Sequence, residues 1–165
     1  MTLLPDFLTG TSVCAWRLER EIYAKDWGTA EGAYRVGGRW SPAGMRVLYT
    51  ALDPATTILE VAVHKGFDAL DRVAHQLLKI ELQAAGAHIV KPETVPNPNW
   101  LHPGIVSVNQ QSFGRELLTA HAVVLVPSVV SRHSWNLLVN MEALKPLPKL
   151  ITSERFALDV RLLSS

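Results

Sequence analysis

The sequence predicts an α+β fold, and three features carry that prediction. Apolar and β-branched segments that fit strands recur at Ser12–Leu18, Val47–Ala51, Leu77–Leu82 and Ala122–Val126. Only two stretches, Asp53 to His64 and Ser107 to His121, have the spacing and start signals of full helices. Strands and helices alternate irregularly, unlike the regular βαβ succession of a doubly wound sheet.

The elements follow in order. The turn-prone Thr9-Gly10-Thr11 precedes a buried first strand, Ser12–Leu18, with Arg17 near its end. From Ala24 to Gly44 five glycines (28, 32, 37, 38 and 44) mark a loop whose backbone can approach a ligand closely. Val47–Ala51 reads as a short strand. Asp53 then caps a helix with Pro54 at its first position, and the helix runs to about His64. Ile58, Val61 and Ala62 can face a core from it. Leu77–Leu82 is a further strand, the proline-rich Val90 to Pro103 a loop, and Ser107 to His121 a helix feeding the strand Ala122–Val126. His133 to Met141 forms a short, partly buried segment. Lys149 to Leu163 reads as two strands broken by a turn at Ser153-Glu154.

The 165 residues form one domain, 1–165, long enough to bury a core without disulfides or a metal to staple it. Sixteen basic against fifteen acidic residues leave a net charge of +1, too little field to make nucleic acid the obvious partner. One cysteine, Cys14, cannot build a disulfide framework, and a reducing compartment fits best. Met1 to Gly10 lacks the basic and apolar regions of a signal peptide, and no segment approaches the roughly 18 apolar residues of a membrane span. The expectation is a cytoplasmic protein with no membrane attachment. The six histidines include no pair at metal-ligand spacing, so no metal is expected.

Four positions carry candidate chemistry. Arg17, on an apolar strand, either snorkels to solvent or receives an anion. Gly37-Gly38-Arg39-Trp40 either forms a tight turn with Trp40 in the core, or brings backbone amides and a forked guanidinium onto a phosphate. Glu60 lies within the apolar run Ala55–Val63, where a buried carboxylate needs a partner or a use; by helical spacing it also shares a face with Thr56, Thr57, Val63 and His64. Ser128 follows the buried-type strand Val123-Val124-Leu125-Val126-Pro127, a place for a turn residue or a site residue. It is not in a nucleophile-elbow context.

The stretch Gly37-Gly38-Arg39-Trp40-Ser41-Pro42-Ala43-Gly44, then Val47–Ala51, then Ile58-Leu59-Glu60-Val61-Ala62-Val63-His64, closely resembles the central signature of the RES domain. Trp16-Arg17-Leu18 is similar to that family's opening arginine. Val126-Pro127-Ser128-Val129-Val130 and Asn136-Leu137-Leu138-Val139-Asn140 resemble its serine and asparagine segments, and Phe156 to Leu162 its closing strand. The likeness spans Val13 to Leu163. Ser41 stands where asparagine is commoner and Met141 where proline is usual.

The resemblance implies an ADP-ribosyltransferase-like fold of mixed sheets and the toxin half of a toxin–antitoxin pair. It implies NAD as substrate rather than cofactor, and a helix-turn-helix (Xre-type) antitoxin, through which alone nucleic acid would be met. Cleavage of the nicotinamide–ribose bond passes through an oxocarbenium-like state, but nicotinamide leaves as a neutral molecule and needs no general acid. On that reading Glu60 stabilises the developing positive charge and Arg17 and Arg39 clamp phosphates. Ser128 bonds a ribose or phosphate oxygen, Tyr49 or Tyr34 packs on nicotinamide, and Asn140 adds an NAD contact. The acceptor is water or inorganic phosphate. The nearest alternative is transfer of ADP-ribose to a protein; further alternatives are an RNA-cleaving toxin and a non-catalytic nucleotide-binding module.

Overall fold

The computed structural model describes residues 12–102 and 106–163. The segment Met1–Gly10, the turn at Thr9-Gly10-Thr11 and Pro103 lie outside them. In chain order the strands and α-helices are β1 (Ser12–Arg20), α1 (Glu31–Val36), β2 (Val47–Ala51), α2 (Pro54–Lys65), α3 (Phe67–Arg72), β3 (His75–Gln83), β4 (His88–Ile89), α4 (Val108–Ala120), β5 (Val123–Pro127), β6 (Trp135–Asn140) and β7 (Lys149–Phe156).

They build one seven-stranded sheet in the order β4-β5-β6-β2-β1-β3-β7. Its only parallel pair among the described strands is β4 with β5; the others are antiparallel. The sheet is therefore mixed, as an α+β fold requires. It is also nearly split. β1 pairs along nine residues with β3, and β2 along five with β6, but β1 and β2 meet in register only at Trp16 and Ala51. Two half-sheets thus diverge from that one pair, and the functional cleft opens there.

Three apolar clusters hold the fold. The first lies on one face and joins Ala15, Leu78, Ile80, Leu125 and Leu137. β5 is buried along its whole length, so its apolar run suits a central strand, and Pro127 at its last position removes no interior ladder donor. The second cluster gathers Trp40, Trp100, Leu118, Val126 and Leu138. In the third, Ala62, Ile58 and Val61 of α2 and Leu70 of α3 pack with Leu18 and Leu77, the face the helical spacing predicts.

Helix α2 begins where its sequence says it should: Asp53 Oδ1 accepts from the Thr56 amide (2.8 Å) and Oδ2 from the Thr56 hydroxyl (2.7 Å). Ser107 likewise caps α4. Gly114, inside α4, lets that helix lie on the loop carrying Trp40, because a Cβ there would stand 2.0 Å from the Trp40 carbonyl oxygen.

Three expectations differ from the structure. Residues 24–44 are not one glycine loop: a 3-10 helix, Glu21–Thr29, and α1 precede the turn at 37–44. The segment 133–141 is a full strand, β6, paired on both sides. Lys149–Leu163 holds one strand, not two, since Ser153 and Glu154 pair with Leu78 and Leu77 across the ladder, followed by a 3-10 turn at Val160–Leu163. There the apolar residues of an exposed edge strand fall on both faces, and polar pairs in the middle imitate a turn.

Candidate functional site

A cleft of about 380 Å³ lies between the end of β1, the middle of β2, the inner face of α2, the start of β6 and the Gly37–Ser41 loop. Arg17, Arg39, Tyr49, Glu60, Lys65 and Asn136 are among its lining residues. The volume is that of a small-molecule site.

Glu60 sits one turn beyond Thr57, whose hydroxyl donates to the Trp16 carbonyl (2.9 Å) and so fixes α2 against β1. The Glu60 carboxylate turns toward the join of β5 and β6. Its Oε1 accepts from Ser128 Oγ (2.9 Å) and from Asn136 Nδ2 (2.5 Å). Ser128 is fully buried, and its Oγ accepts in turn from the Ser131 amide (3.1 Å). Two neutral donors thus lock the rotamer through one oxygen. Among the described residues nothing hydrogen-bonds Oε2. Asn136 keeps its own Oδ1 buried and unpartnered beside the carboxylate.

Arg17 stands where the half-sheets part. Its Nη1 donates to the Tyr49 carbonyl (2.9 Å), spanning the gap between β1 and β2. Its Nε and Nη2 donate to Glu19 Oε2 (3.0 and 2.5 Å). Arg17 therefore neither points simply to solvent nor stands free.

The glycine loop combines both sequence readings. Gly37 takes φ of 72°, the left-handed region that favours glycine, and the Gly38 amide donates to the Ser41 carbonyl (2.8 Å) to close a tight turn. Trp40 is buried edge-on to Trp100, with centroids 6.0 Å apart. Arg39 nevertheless reaches the cleft wall, donating to the Trp100 carbonyl (3.2 Å). The Tyr49 hydroxyl accepts the Trp40 amide (3.2 Å) and bonds Ser41 Oγ (2.8 Å), and burial pushes its phenol up to about 12. Gln111 Nε2 holds the same turn by donating to the Gly38 and Ser41 carbonyls. Tyr49 thus shows its ring to the cleft while its hydroxyl pins the loop.

The structure brings Arg17, Arg39, Tyr49 and Glu60 together and moves three other candidates elsewhere. Ser128 is absent from the cleft lining: it is fully buried, and its hydroxyl donates to Glu60 from behind the carboxylate. Tyr34 is 41% exposed outside the cleft, with the Arg46 guanidinium 4.3 Å over its ring. Asn140 lies at the far end of β6, about 13 Å along the strand from Asn136 at the usual rise. It donates to the Leu118 carbonyl and accepts from the Glu142 and Ala143 amides, closing the turn after the strand. Asn136, not Asn140, lines the cleft and bonds Glu60. Both share one strand face by their spacing of four, so only the position of Glu60 separates them. Glu19, which accepts from Arg17, lies two residues after it on the same face of the strand.

No group of three or more His, Cys, Asp or Glu among the described residues is placed to hold a metal. No helix among them is long and apolar enough to cross a membrane.

The RES domain family model matches residues 15–159, taking in every residue of this cleft. The chain belongs to the RES domain family. This RES domain is 30% identical over 155 residues to the protein named Toxin Res of Photorhabdus laumondii subsp. laumondii, covering 91% of this chain and 97% of that one. It is 32% identical over 133 residues to the Prs ADP-ribosylating toxin of a Sphingobium species, covering 76% and 80%. A Toxin Res of Pseudomonas putida is 32% identical over 151 residues, covering 89% and 97%. Among solved structures, a chain of the M. tuberculosis MbcT–MbcA toxin–antitoxin complex superposes with a TM-score of 0.74 at 22% identity, over 88% of this chain and 85% of that one. The likeness confirms the mixed α+β fold.

Proposed function

We propose that this RES domain is the toxin of a toxin–antitoxin pair and that it breaks the nicotinamide–ribose bond of NAD. The observation that carries the reading is Glu60. A carboxylate held from behind by Ser128 and Asn136, with its other oxygen unbonded, lines the same cleft as Arg17 and Arg39. A dinucleotide offers that cleft a pyrophosphate for the guanidiniums and, at the far end, a ribose whose C1″ gains positive charge as neutral nicotinamide departs. A carboxylate already oriented stabilises that charge without reorganising, an effect of a few kcal/mol. The site then needs no general acid and no separate cofactor, NAD being the substrate.

The departing bond is C1″–N; nicotinamide keeps the electron pair, and an acceptor oxygen closes the new bond at C1″. Water gives ADP-ribose and a proton, and inorganic phosphate gives the 1″-phosphate. Transfer to a protein side chain is the second reading, favoured by the relative named as an ADP-ribosylating toxin. It shares the same donor site. The structural neighbour is a complex of toxin with antitoxin, which supports an antitoxin partner; a helix-turn-helix (Xre-type) antitoxin and a cytoplasmic setting complete the proposal.

The test is to incubate antitoxin-free protein with NAD, with and without phosphate, and to separate the products by chromatography. Nicotinamide together with ADP-ribose or its 1″-phosphate is the expected result. Nicotinamide released only when cell extract is added favours protein transfer. NAD left intact under all three conditions contradicts the proposal and leaves an RNA-cleaving or merely nucleotide-binding domain.

A further inference from the structure

An arginine that clamps a phosphate normally offers one of the two forked faces of its guanidinium, and Arg17 has already given one away. Of its five N–H groups, Nε–H and one on Nη2 meet the same Glu19 oxygen, and one on Nη1 meets the Tyr49 carbonyl. Glu19 is half-sequestered, its side chain 14% exposed against 23% for Arg17, and it is not part of the cleft lining. Its second oxygen, Oε1, accepts from the Arg20 amide (3.1 Å), so the carboxylate is itself tied to the strand. The pairing follows from sequence: residues two apart on a strand lie on one face.

We infer that Glu19 is a positioning residue that fixes Arg17 so that only its two uncommitted N–H groups, one on each Nη, meet the ligand, and that these two grip one anionic group end-on. The inference rests on the reading of the cleft as a nucleotide site for the nature of that group, but not for the holding of Arg17 by Glu19. Its energetic content is pre-organisation. A free arginine loses rotamer freedom when it binds; one already held does not, a difference of about 0.5–1.5 kcal/mol, or roughly two- to twelvefold in affinity. The side chain is also kept from swinging across the gap between the half-sheets, where Tyr49 O anchors its other end. An opposite role, in which Glu19 competes with the ligand for the guanidinium, predicts the reverse effect of its removal.

Two measurements decide between them. ADP-ribose binding by calorimetry is compared for wild type, Glu19→Gln, Glu19→Ala and Arg17→Ala. Glu19→Ala weakens binding about two- to twelvefold, and Glu19→Gln recovers part of that loss because its amide oxygen still accepts from Arg17. Binding by Glu19→Ala that equals or exceeds wild type overturns the inference in favour of competition or idleness. In parallel, ¹⁵N NMR follows the Arg17 Nε–H signal in ligand-free protein. A slowly exchanging signal in wild type that is lost in Glu19→Ala supports the holding role. A signal that exchanges alike in both contradicts it, whether or not ADP-ribose binds, so failure of the nucleotide reading is separable from failure of this one.

Discussion

Ser128 donates a 2.9 Å hydrogen bond to Glu60 across 68 positions of sequence, from a site without solvent exposure. The serine just after β5 and the carboxylate in the middle of α2 therefore form one unit, completed by Asn136 on β6. If the unit serves to aim the carboxylate, each donor can be removed at a cost smaller than removing the charge. Hydrogen bonds to charged groups contribute about 1.5–3 kcal/mol. Ser128→Ala and Asn136→Ala are each expected to lower NAD turnover by roughly ten- to a hundredfold, with little change in KM. A loss expressed wholly in KM would instead place these residues on the substrate.

The packing of α4 on the glycine loop gives a stability prediction with an internal control. Gly114→Ala would put a methyl 2.0 Å from the Trp40 carbonyl oxygen, backbone against backbone, whereas a Cβ at Gly32 meets nothing within 4 Å. Alanine is the better helix former by about 1 kcal/mol. Gly32→Ala should therefore leave the melting temperature unchanged or raise it by a few degrees. Gly114→Ala should lower it despite the same helical gain, because α4 must move off the loop. Thermal unfolding followed by circular dichroism checks both; equal melting temperatures would mean that α4 and the loop separate freely.

Much of this is legible in the sequence. Asp53-Pro54 marks the start of α2 because an N-cap and a proline at N1 need no tertiary context, and Val123–Val126 reads as a buried strand because a short, valine-rich apolar run fits one. Arg17, Arg39, Tyr49 and Glu60 could be placed by their motifs. What stayed hidden depends on distance in space. That Asn136 rather than Asn140 meets the carboxylate depends on which end of β6 Glu60 faces. Reading Tyr34 as a surface residue requires Arg46, which lies over its ring while its Nη1 also bonds Glu31 Oε2 (2.7 Å). The sequence of β7 reads as two strands because its pairing with β3, not its own pattern, carries it through Ser153-Glu154.

A pH dependence of stability follows from His75. It is 1% exposed, its Nδ1–H donates to the Val73 carbonyl (2.6 Å), and Nε2 is buried without a partner. Burial holds its pKa below the ordinary 6.5. The unfolded chain therefore takes up the proton first, and stability complete at neutral pH is lost as pH falls below about 6.5, with a slope of at most about 1.4 kcal/mol per unit from this group. His88, also lowered by desolvation and by its stacked neighbour His121, adds in the same direction. Urea unfolding at pH 7.5 and 5.5 should show the loss in wild type and a smaller one in His75→Gln. An identical pH slope in the variant would remove His75 from the account.

The central claim is that the Glu60 charge, aimed by Ser128 and Asn136, stabilises the reacting ribose. The direct measurement is the rate of nicotinamide release from NAD by wild type and by Glu60→Gln, which keeps the shape and removes the charge. A fall of about 10²–10³ in turnover, with the fold and ADP-ribose binding retained, is the predicted result, in line with loss of a single preorganised electrostatic group. Turnover by Glu60→Gln within a few fold of wild type would contradict it.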